Sequence, residues 1–345
     1  MKLRRVIERG SERGDDGERP VVQIAVDGGW ADVARALAAL DCDPADAARW
    51  SRDAIALLDA PADVRARVAD AARSLAPDAA DAGRALALPF APLSFRDFML
   101  YERHAIDAAR GFVRTFMPRV WPIMRGWEAV LGAPFPALKP HALWYRQPIY
   151  YMGNALTFVS DGDAVAVPPY TRALDYELEL GFVLAKPLSN ATPDEAEAAI
   201  GGFVVVNDFS ARDVQRAEMQ SGFGPQKAKH FANAMSRMVV SADEILPHWR
   251  DLKGFVRHNG RLISEPSAAG ARWSLGEALA HVSRAEPLAP GELFATGTLP
   301  GGSGIETGAL LAAGDTIEIG ITGVGALSNG ITDFKAPHGA DGRTA

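Results

Sequence analysis

The sequence holds one cysteine in 345 residues, Cys42, so no disulfide can close within the chain. Cys42 lies far from the motifs described below, and no two of the 7 histidines have zinc-ligand spacing, which argues against a zinc site. Positive charge is in deficit: 36 Lys and Arg stand against 43 Asp and Glu, a net charge of -7. With no basic stripe to neutralise phosphates, a nucleic acid or an anionic membrane is not the expected partner. No apolar run is long enough to span a bilayer, and Met1-Lys-Leu-Arg-Arg-Val-Ile-Glu8 lacks the apolar centre of a signal peptide. The expectation is a cytoplasmic protein with no membrane partner. Internal repeats and low-complexity linkers are also missing.

What the chain does have is acid in a pattern. In Leu174-Asp-Tyr-Glu-Leu-Glu-Leu-Gly-Phe-Val-Leu184 the carboxylates of Asp175, Glu177 and Glu179 alternate with Tyr176, Leu178 and Leu180. Side chains alternate between the faces of a strand, so the acids share one face and the apolar groups the other. Like charges beside a core repel unless a cation stands between them. A hard divalent ion held through oxygen would serve. The run alone equally fits an edge strand with a solvated acidic face.

Downstream, Gly201-Gly-Phe-Val-Val-Val-Asn-Asp208 reads as a buried strand ending in a carboxylate. Phe-Ser-Ala-Arg-Asp-Val-Gln215 then reads as a turn into a helix, with Ser210 as its expected N-cap. Arg212 and Gln215, three residues apart, share a helical face. An acid, a cation and an amide donor are thereby brought into one small volume, although the segment taken alone reads more simply as an Asn-Asp turn with a surface Arg and Gln.

Three motifs in order, Glu177-Leu-Glu179, Asn207-Asp-Phe-Ser-Ala-Arg-Asp-Val-Gln215 and Ala228-Lys-His-Phe231, resemble the fumarylacetoacetate hydrolase family, and the resemblance runs from about Pro89 to the end. It implies one divalent cation, Mg, Mn or Ca, held by Glu177, Glu179, Asp208 and an aspartate early in the catalytic domain. Asp97 fits that last role, since the family has a histidine seven residues later and His104 stands there.

The same resemblance implies roles for other residues. His104 is the expected general base, because its ordinary pKa lies near neutrality and a carboxylate can orient its ring. Asp107, on the same helical face, is the expected orienting partner, after the His-x-x-Glu pair of small relatives. Fumarylacetoacetase instead draws its glutamate from the C-terminal part, where Glu306 is the candidate. Lys229, with Arg212 and Gln215, would stabilise developing negative charge. Tyr151, in Trp144-Tyr-Arg-Gln-Pro-Ile-Tyr-Tyr151, and Thr298, in a presumed Thr-Gly-Thr loop over Ala295–Pro300, would face the substrate. Met99 replaces a tyrosine that fumarylacetoacetase uses for substrate contact.

Residues 1–90 read as a small N-terminal α/β domain, with strands at Lys2–Glu8 and Val21–Asp27 and a helical stretch from Ala31 to Ala85 broken at Pro44, Pro61 and Pro77. Residues 91–336 read as the catalytic domain and 337–345 as a tail. The expected fold class is α+β, mainly β: a distorted β-roll of the fumarylacetoacetate hydrolase type. Asn259-Gly260 marks a hairpin turn, Ser274 a helix start, and Gly314–Ile321 a strand. Relatives are usually dimers, so a homodimer is expected.

The expected activity is metal-dependent hydrolysis of a carbon-carbon bond in a small diketo acid, of the kind used in aromatic amino acid catabolism. An acylpyruvase, or an oxaloacetate decarboxylase, hydratase or isomerase, is the alternative within the family. A non-catalytic protein that binds a small carboxylate beside a structural metal is the alternative outside it.

Overall fold

The computed structural model describes residues 1–9, 17–78 and 84–335. Among these a twelve-stranded sheet runs in the order Gly29–Asp32, Glu18–Val26, Lys2–Arg9, Met238–Ser241, Ile200–Asp208, Glu177–Leu184, Leu293–Ser303, Phe95–Phe98 and Tyr150–Gly153, with three short strands off this path. A second sheet orders Arg261–Ser264, Gly254–His258, Thr316–Ile321, Gly325–Asp333 and Val165–Val167. The Asn259-Gly260 turn joins its first two strands, both residues at positive φ as a two-residue hairpin of this kind requires. Helices pack outside, and the α+β, strand-rich class is as expected.

The strand Glu177–Leu184 is buried at every position, and so is Ile200–Asp208. Both lie mid-sheet with both faces covered. Leu178, Leu180, Phe182 and Leu184 face the second sheet and pack with Ile317, Ile319, Leu327 and Ile331. Val183, Val204 and Val206 face the other way, onto Trp50, Leu57 and Leu58 of the N-terminal helices. Each such side chain contributes roughly 1.5–3 kcal/mol by leaving water. A solvated edge strand is thereby excluded for the acidic run, whose carboxylates are buried in mid-sheet.

The N-terminal helices Val33–Leu37, Pro44–Trp50, Ala54–Asp59 and Ala62–Arg73 fill the region expected to be helical. Arg84–Ala87, which alanine content assigned to helix, is instead a strand hydrogen-bonded to Lys2–Arg9; sheet pairing overrides local propensity there. Lys2–Arg9 also pairs with Met238–Ser241, so ladder bonds cross the boundary expected near residue 90. The tail 337–345 lies outside the described residues. A third, small cluster of Ile106, Val113, Met124 and Leu138 ties the helix Glu102–Phe116 to Trp121–Leu131 and its following turn. No helix of the described residues is long and apolar enough to cross a membrane.

Candidate active site

Four adjacent strands bring the acidic residues together. Glu177–Leu184 pairs on one side with Ile200–Asp208, setting Leu178 opposite Asn207, and on the other with Leu293–Ser303, setting Glu179 opposite Thr298. Phe95–Phe98 lies beyond, with Asp97 beside Ala295 and opposite Tyr151. The presumed loop Ala295–Pro300 is part of a continuous strand, a correction to the expected geometry. It is irregular where it passes Glu179, and Gly297 sits at φ +80, where a Cβ would stand 2.3 Å from the Phe98 carbonyl oxygen. Only glycine fits that approach, and the irregularity lets the Thr298 hydroxyl donate to Glu179 Oε1 at 3.3 Å.

Asp97, Glu179 and Asp208 offer oxygens that lie within 4.8 Å of one another, all buried. Asp97 Oδ1, Glu179 Oε2 and Asp208 Oδ1 have no hydrogen-bond partner. Burial, and then the charges of the other carboxylates, push Asp97 and Glu179 well above the usual carboxylate range. Burial also raises Asp208, against the pull of Lys229. Three converging, unpartnered carboxylate oxygens fit a hard divalent cation, which satisfies them without protons. Tyr151 donates its hydroxyl to Asp208 Oδ2 at 2.7 Å beside them.

Glu177, expected as a further ligand, has both oxygens engaged by cations. Arg212 Nη2 donates to its Oε1 at 2.6 Å and Lys229 Nζ to its Oε2. Burial alone would raise Glu177, but Arg212 and Lys229 outweigh it and hold the carboxyl below its ordinary range. Lys229 also reaches Asp208. The neighbouring Lys227 is exposed and lies over the Tyr170 ring, so Lys229 is the lysine of this site. Arg212 opens the helix Arg212–Gln220, and its Nη1 donates to Gln215 Oε1 at 3.0 Å, as the three-residue spacing requires. Ser210 is not its N-cap: it lies in a two-residue strand paired with Leu174–Asp175, and Ala211 stands at the cap without a side-chain bond.

Asp175 has a role the sequence did not disclose. Its Oδ2 accepts from Arg212 Nε at 2.7 Å and from Ile305 N, while its Oδ1 accepts from Gly304 N at 2.7 Å. One buried carboxylate thus anchors both the arginine and the start of the short helix Gly304–Thr307. No local sequence signal marks it, because its partners are 37, 129 and 130 residues away.

That short helix carries Glu306, whose Oε2 lies 3.0 Å from His104 Nδ1. Glu306 is held in turn by Gly301 N and by Ser303 N and Oγ. Ser303-Gly-Ile-Glu306 is a capping-box sequence, a signal that foretells the turn though not the histidine contact. The expected partner Asp107 does not orient the ring. It pairs instead with Arg110 at 2.7 Å and Arg103 at 3.5 Å, cations of its own helix that hold its carboxylate away from the ring. His104 is buried, with Nε2 3.8 Å from Glu177 Oε1. Burial opposes the imidazolium, yet the Glu306 contact and the Glu177 charge prevail, and the ring's pKa lies above its ordinary value. Glu306 is correspondingly lowered, burial being outweighed by His104.

Most of these groups open on one cavity of about 450 Å3, lined by Asp97, His104, Tyr151, Glu177, Glu179, Arg212, Gln215, Lys229 and Thr298. Asp208 lies just behind, tied to Tyr151 and Lys229. Of the residues singled out from the sequence, Asp107 alone stands apart. The arrangement places a histidine-carboxylate pair, two buried cations and an acidic trio that fits a cation around one small-molecule-sized space.

The family model for the C-terminal domain of fumarylacetoacetate (FAA) hydrolases matches residues 137–332, beginning after Asp97 and His104. Oxaloacetate tautomerase YisK of Bacillus subtilis (strain 168) is 33% identical over 188 residues, 54% of this chain and 62% of that protein. The mitochondrial oxaloacetate tautomerase FAHD1 of Homo sapiens is 28% identical over 178 residues, 52% of this chain and 78% of that one. Fumarylacetoacetate hydrolase from psychrophilic Exiguobacterium antarcticum superposes with a TM-score of 0.62 at 20% identity, over 97% of this chain and 100% of the other. The 5-carboxymethyl-2-hydroxymuconate delta-isomerase of Mycobacterium smegmatis gives 0.61 at 17%, with the same coverage. At such identities the superpositions establish the fold. With more than half of its length matched by the family model and the fold shared nearly end to end, the chain belongs to the fumarylacetoacetate hydrolase family.

Proposed function

We propose that the protein is a divalent-metal-dependent hydrolase that cleaves the carbon-carbon bond between C3 and C4 of a 2,4-diketo acid. The observation that carries this reading is the buried His104–Glu306 pair, 3.0 Å apart, whose histidine lines the same cavity as Asp97 and Glu179, with the third carboxylate of the trio, Asp208, tied to the cavity residues Tyr151 and Lys229. A cation held by those three carboxylates would supply a positive charge for the substrate's α-keto acid oxygens and polarise its carbonyl.

The chain's own groups then divide the remaining work. His104, neutral and oriented by Glu306, takes a proton from water as its oxygen bonds to the C4 carbonyl carbon. The C3–C4 bond breaks, its electron pair leaves with C3 as an enolate, and His104 returns the proton to that carbon. Water is thereby consumed, and a carboxylic acid and a 2-oxo acid are formed. Lys229 and Arg212, already fixed by buried carboxylates, offer positive charge without reorganising as the oxyanion and enolate develop, and Gln215 offers its amide. Tyr151 and Thr298 fix the positions of Asp208 and Glu179.

The second reading is keto-enol tautomerisation of a 2-oxo diacid, favoured by the similarity to two oxaloacetate tautomerases. It uses the same base and the same cation without adding water. The test is protein stripped of metal and incubated with acylpyruvates, fumarylacetoacetate and oxaloacetate, with and without Mg2+ or Mn2+, products being read by mass. Metal-dependent formation of two acids, with one water added, supports the hydrolase. Unchanged mass with faster enol decay selects the tautomerase, and no turnover of any compound refutes both.

A further inference from the structure

The cavity has two unlike ends. Its charged lining, apart from Lys139, belongs to one connected cluster: Arg212 joins Glu177 and Gln215, Lys229 joins Glu177 and Asp208, Tyr151 joins Asp208, Thr298 joins Glu179, and His104 joins Glu306. Beyond this cluster the wall is apolar. The helix Glu102–Phe116 supplies its longest stretch, because His104, Ala108 and Phe112 recur at four-residue intervals, with Ala105 and Ala109 one step on. Residues so spaced form one stripe along a helix. The stripe starts at the histidine, continues through three alanines and ends at an aromatic ring, about 12 Å along the axis at 1.5 Å per residue. Leu138 and Met219 line the same cavity.

Alanine at three successive lining positions leaves space that larger side chains would fill. Among the described residues that line the cavity, the one charge outside the cluster, Lys139, is exposed to solvent, as is Arg216, which lies over the outer end of the arm at the Phe112 ring. A second carboxylate on a substrate would leave water in this arm and meet no buried cation there, a cost that apolar carbon does not incur.

Resting on the hydrolase reading above, we propose that the preferred substrate is a 2,4-diketo monoacid whose acyl arm is apolar, an alkyl chain of several carbons or an aryl group, and is held along Ala105, Ala108, Ala109 and Phe112. The α-keto acid end lies at the acidic trio and the arm runs outward along the helix stripe. The alanines set the room for the arm, and Phe112 bounds it.

Binding and turnover test this separately. Calorimetric titration of the Mn2+-loaded protein with 2-oxobutanoate, 2-oxohexanoate and 2-oxooctanoate uses acids that cannot undergo the cleavage. Affinity is expected to rise about fourfold per methylene, the transfer value for full burial, and 2-oxohexanoate to bind at least tenfold tighter than 2-oxoadipate, which ends in a carboxylate. Ala108→Leu is expected to lower the 2-oxooctanoate to 2-oxobutanoate affinity ratio at least tenfold; leucine is a good helix former, so the helix is retained. In turnover, hexanoylpyruvate is expected to exceed acetylpyruvate in kcat/KM. Flat affinity along the series, or a diacid that binds as tightly as the monoacid, overturns the apolar arm. Chain-length dependence in binding with no cleavage of any diketo acid leaves the arm standing and removes the hydrolase reading, whereas cleavage without that dependence removes the arm alone.

Discussion

Replacing Glu306 by glutamine removes one charge from the histidine pair and keeps the size of the side chain. Two unit charges about 3 Å apart, at an effective dielectric near 20, attract by roughly 5 kcal/mol. In the native protein that attraction and the Glu177 charge overcome the burial of His104, and its pKa is raised. In the variant, burial and the nearby Arg212 remain while the main attraction is gone, so the ring's pKa falls. A general base acts when neutral; native kcat therefore declines as pH drops through a value above the ordinary ~6.5. The acid limb of Glu306→Gln is expected to move to lower pH. Above that limb, loss of the orienting carboxylate is expected to lower kcat by about 10²–10⁴-fold. Glutamine leaves one acceptor oxygen for the three donors that Glu306 holds at its two oxygens, so at least one buried donor loses its acceptor and stability falls by about 1–3 kcal/mol. The assay is kcat from about pH 5 to about pH 9 on whichever diketo acid the native protein cleaves, with thermal melting alongside. An intact fold with unchanged kcat and an unmoved acid limb would refute the role given to this pair.

Metal-free protein is expected to lose stability as pH rises. The carboxyls of Asp97, Glu179 and Asp208 have raised pKa values in the fold, so their contribution is full below the unfolded value of about 4 and is lost through the raised values. A divalent cation replaces those protons, and the rise in Tm on adding Mg2+ or Mn2+ should therefore be larger at about pH 8 than at about pH 5; equal rises contradict the trio as the metal site. Lys229→Met strips a cation from two buried carboxylates, Glu177 and Asp208, at a cost of about 3–5 kcal/mol to be read by chemical denaturation of the metal-free protein; a loss under about 1 kcal/mol would show that the pair is not charged. Gly111→Ala puts a Cβ 1.9 Å from the Ile305 carbonyl oxygen, forcing the histidine helix away from the helix of Glu306. Overpacking of this kind costs about 1–3 kcal/mol, and kcat should fall with it; an unchanged kcat would mean that the separation of the two helices does not matter. Asp107→Asn breaks only a half-buried contact to Arg110 and an exposed one to Arg103, so kcat should stay within about twofold and stability within about 1 kcal/mol; a large drop in kcat would restore Asp107 as the partner of His104.

Local pattern carried much of the outcome. Alternation in Glu177–Leu180 specified the start of the strand Glu177–Leu184, though Asp175 went to a separate two-residue strand, and the apolar run of Gly201–Val206 specified its buried neighbour. The Asn259-Gly260 turn and the Ser274 cap, whose side chain accepts from Glu277 N, formed where their chemistry demands. Such features depend on residues a few positions apart, and a sequence displays those directly. Motif spacing likewise led to Glu177, Glu179, Asp208, Arg212, Gln215 and Lys229, since they lie at strand ends and first helical turns whose positions are set locally.

Tertiary structure decided what those residues touch. Glu177 and Glu179 alternate identically in the strand, yet one meets Arg212 and Lys229 while the other meets Asp97 and Asp208, because the irregular passage of Leu293–Ser303 and the arrival of Lys229 from 52 residues away distinguish them. Asp107 lies near His104 in sequence but pairs with Arg110 and Arg103 of its own helix. Glu306, 202 positions after His104, is brought within 3.0 Å by the close approach of two helices at Gly111 and by the anchoring of Gly304 and Ile305 on Asp175. The sequence by itself determined the strands, the turns and the kinds of chemical group available. Which group partners which was decided only by the fold, because contact energies fall off over a few ångströms and those distances are set by packing between segments far apart in the chain.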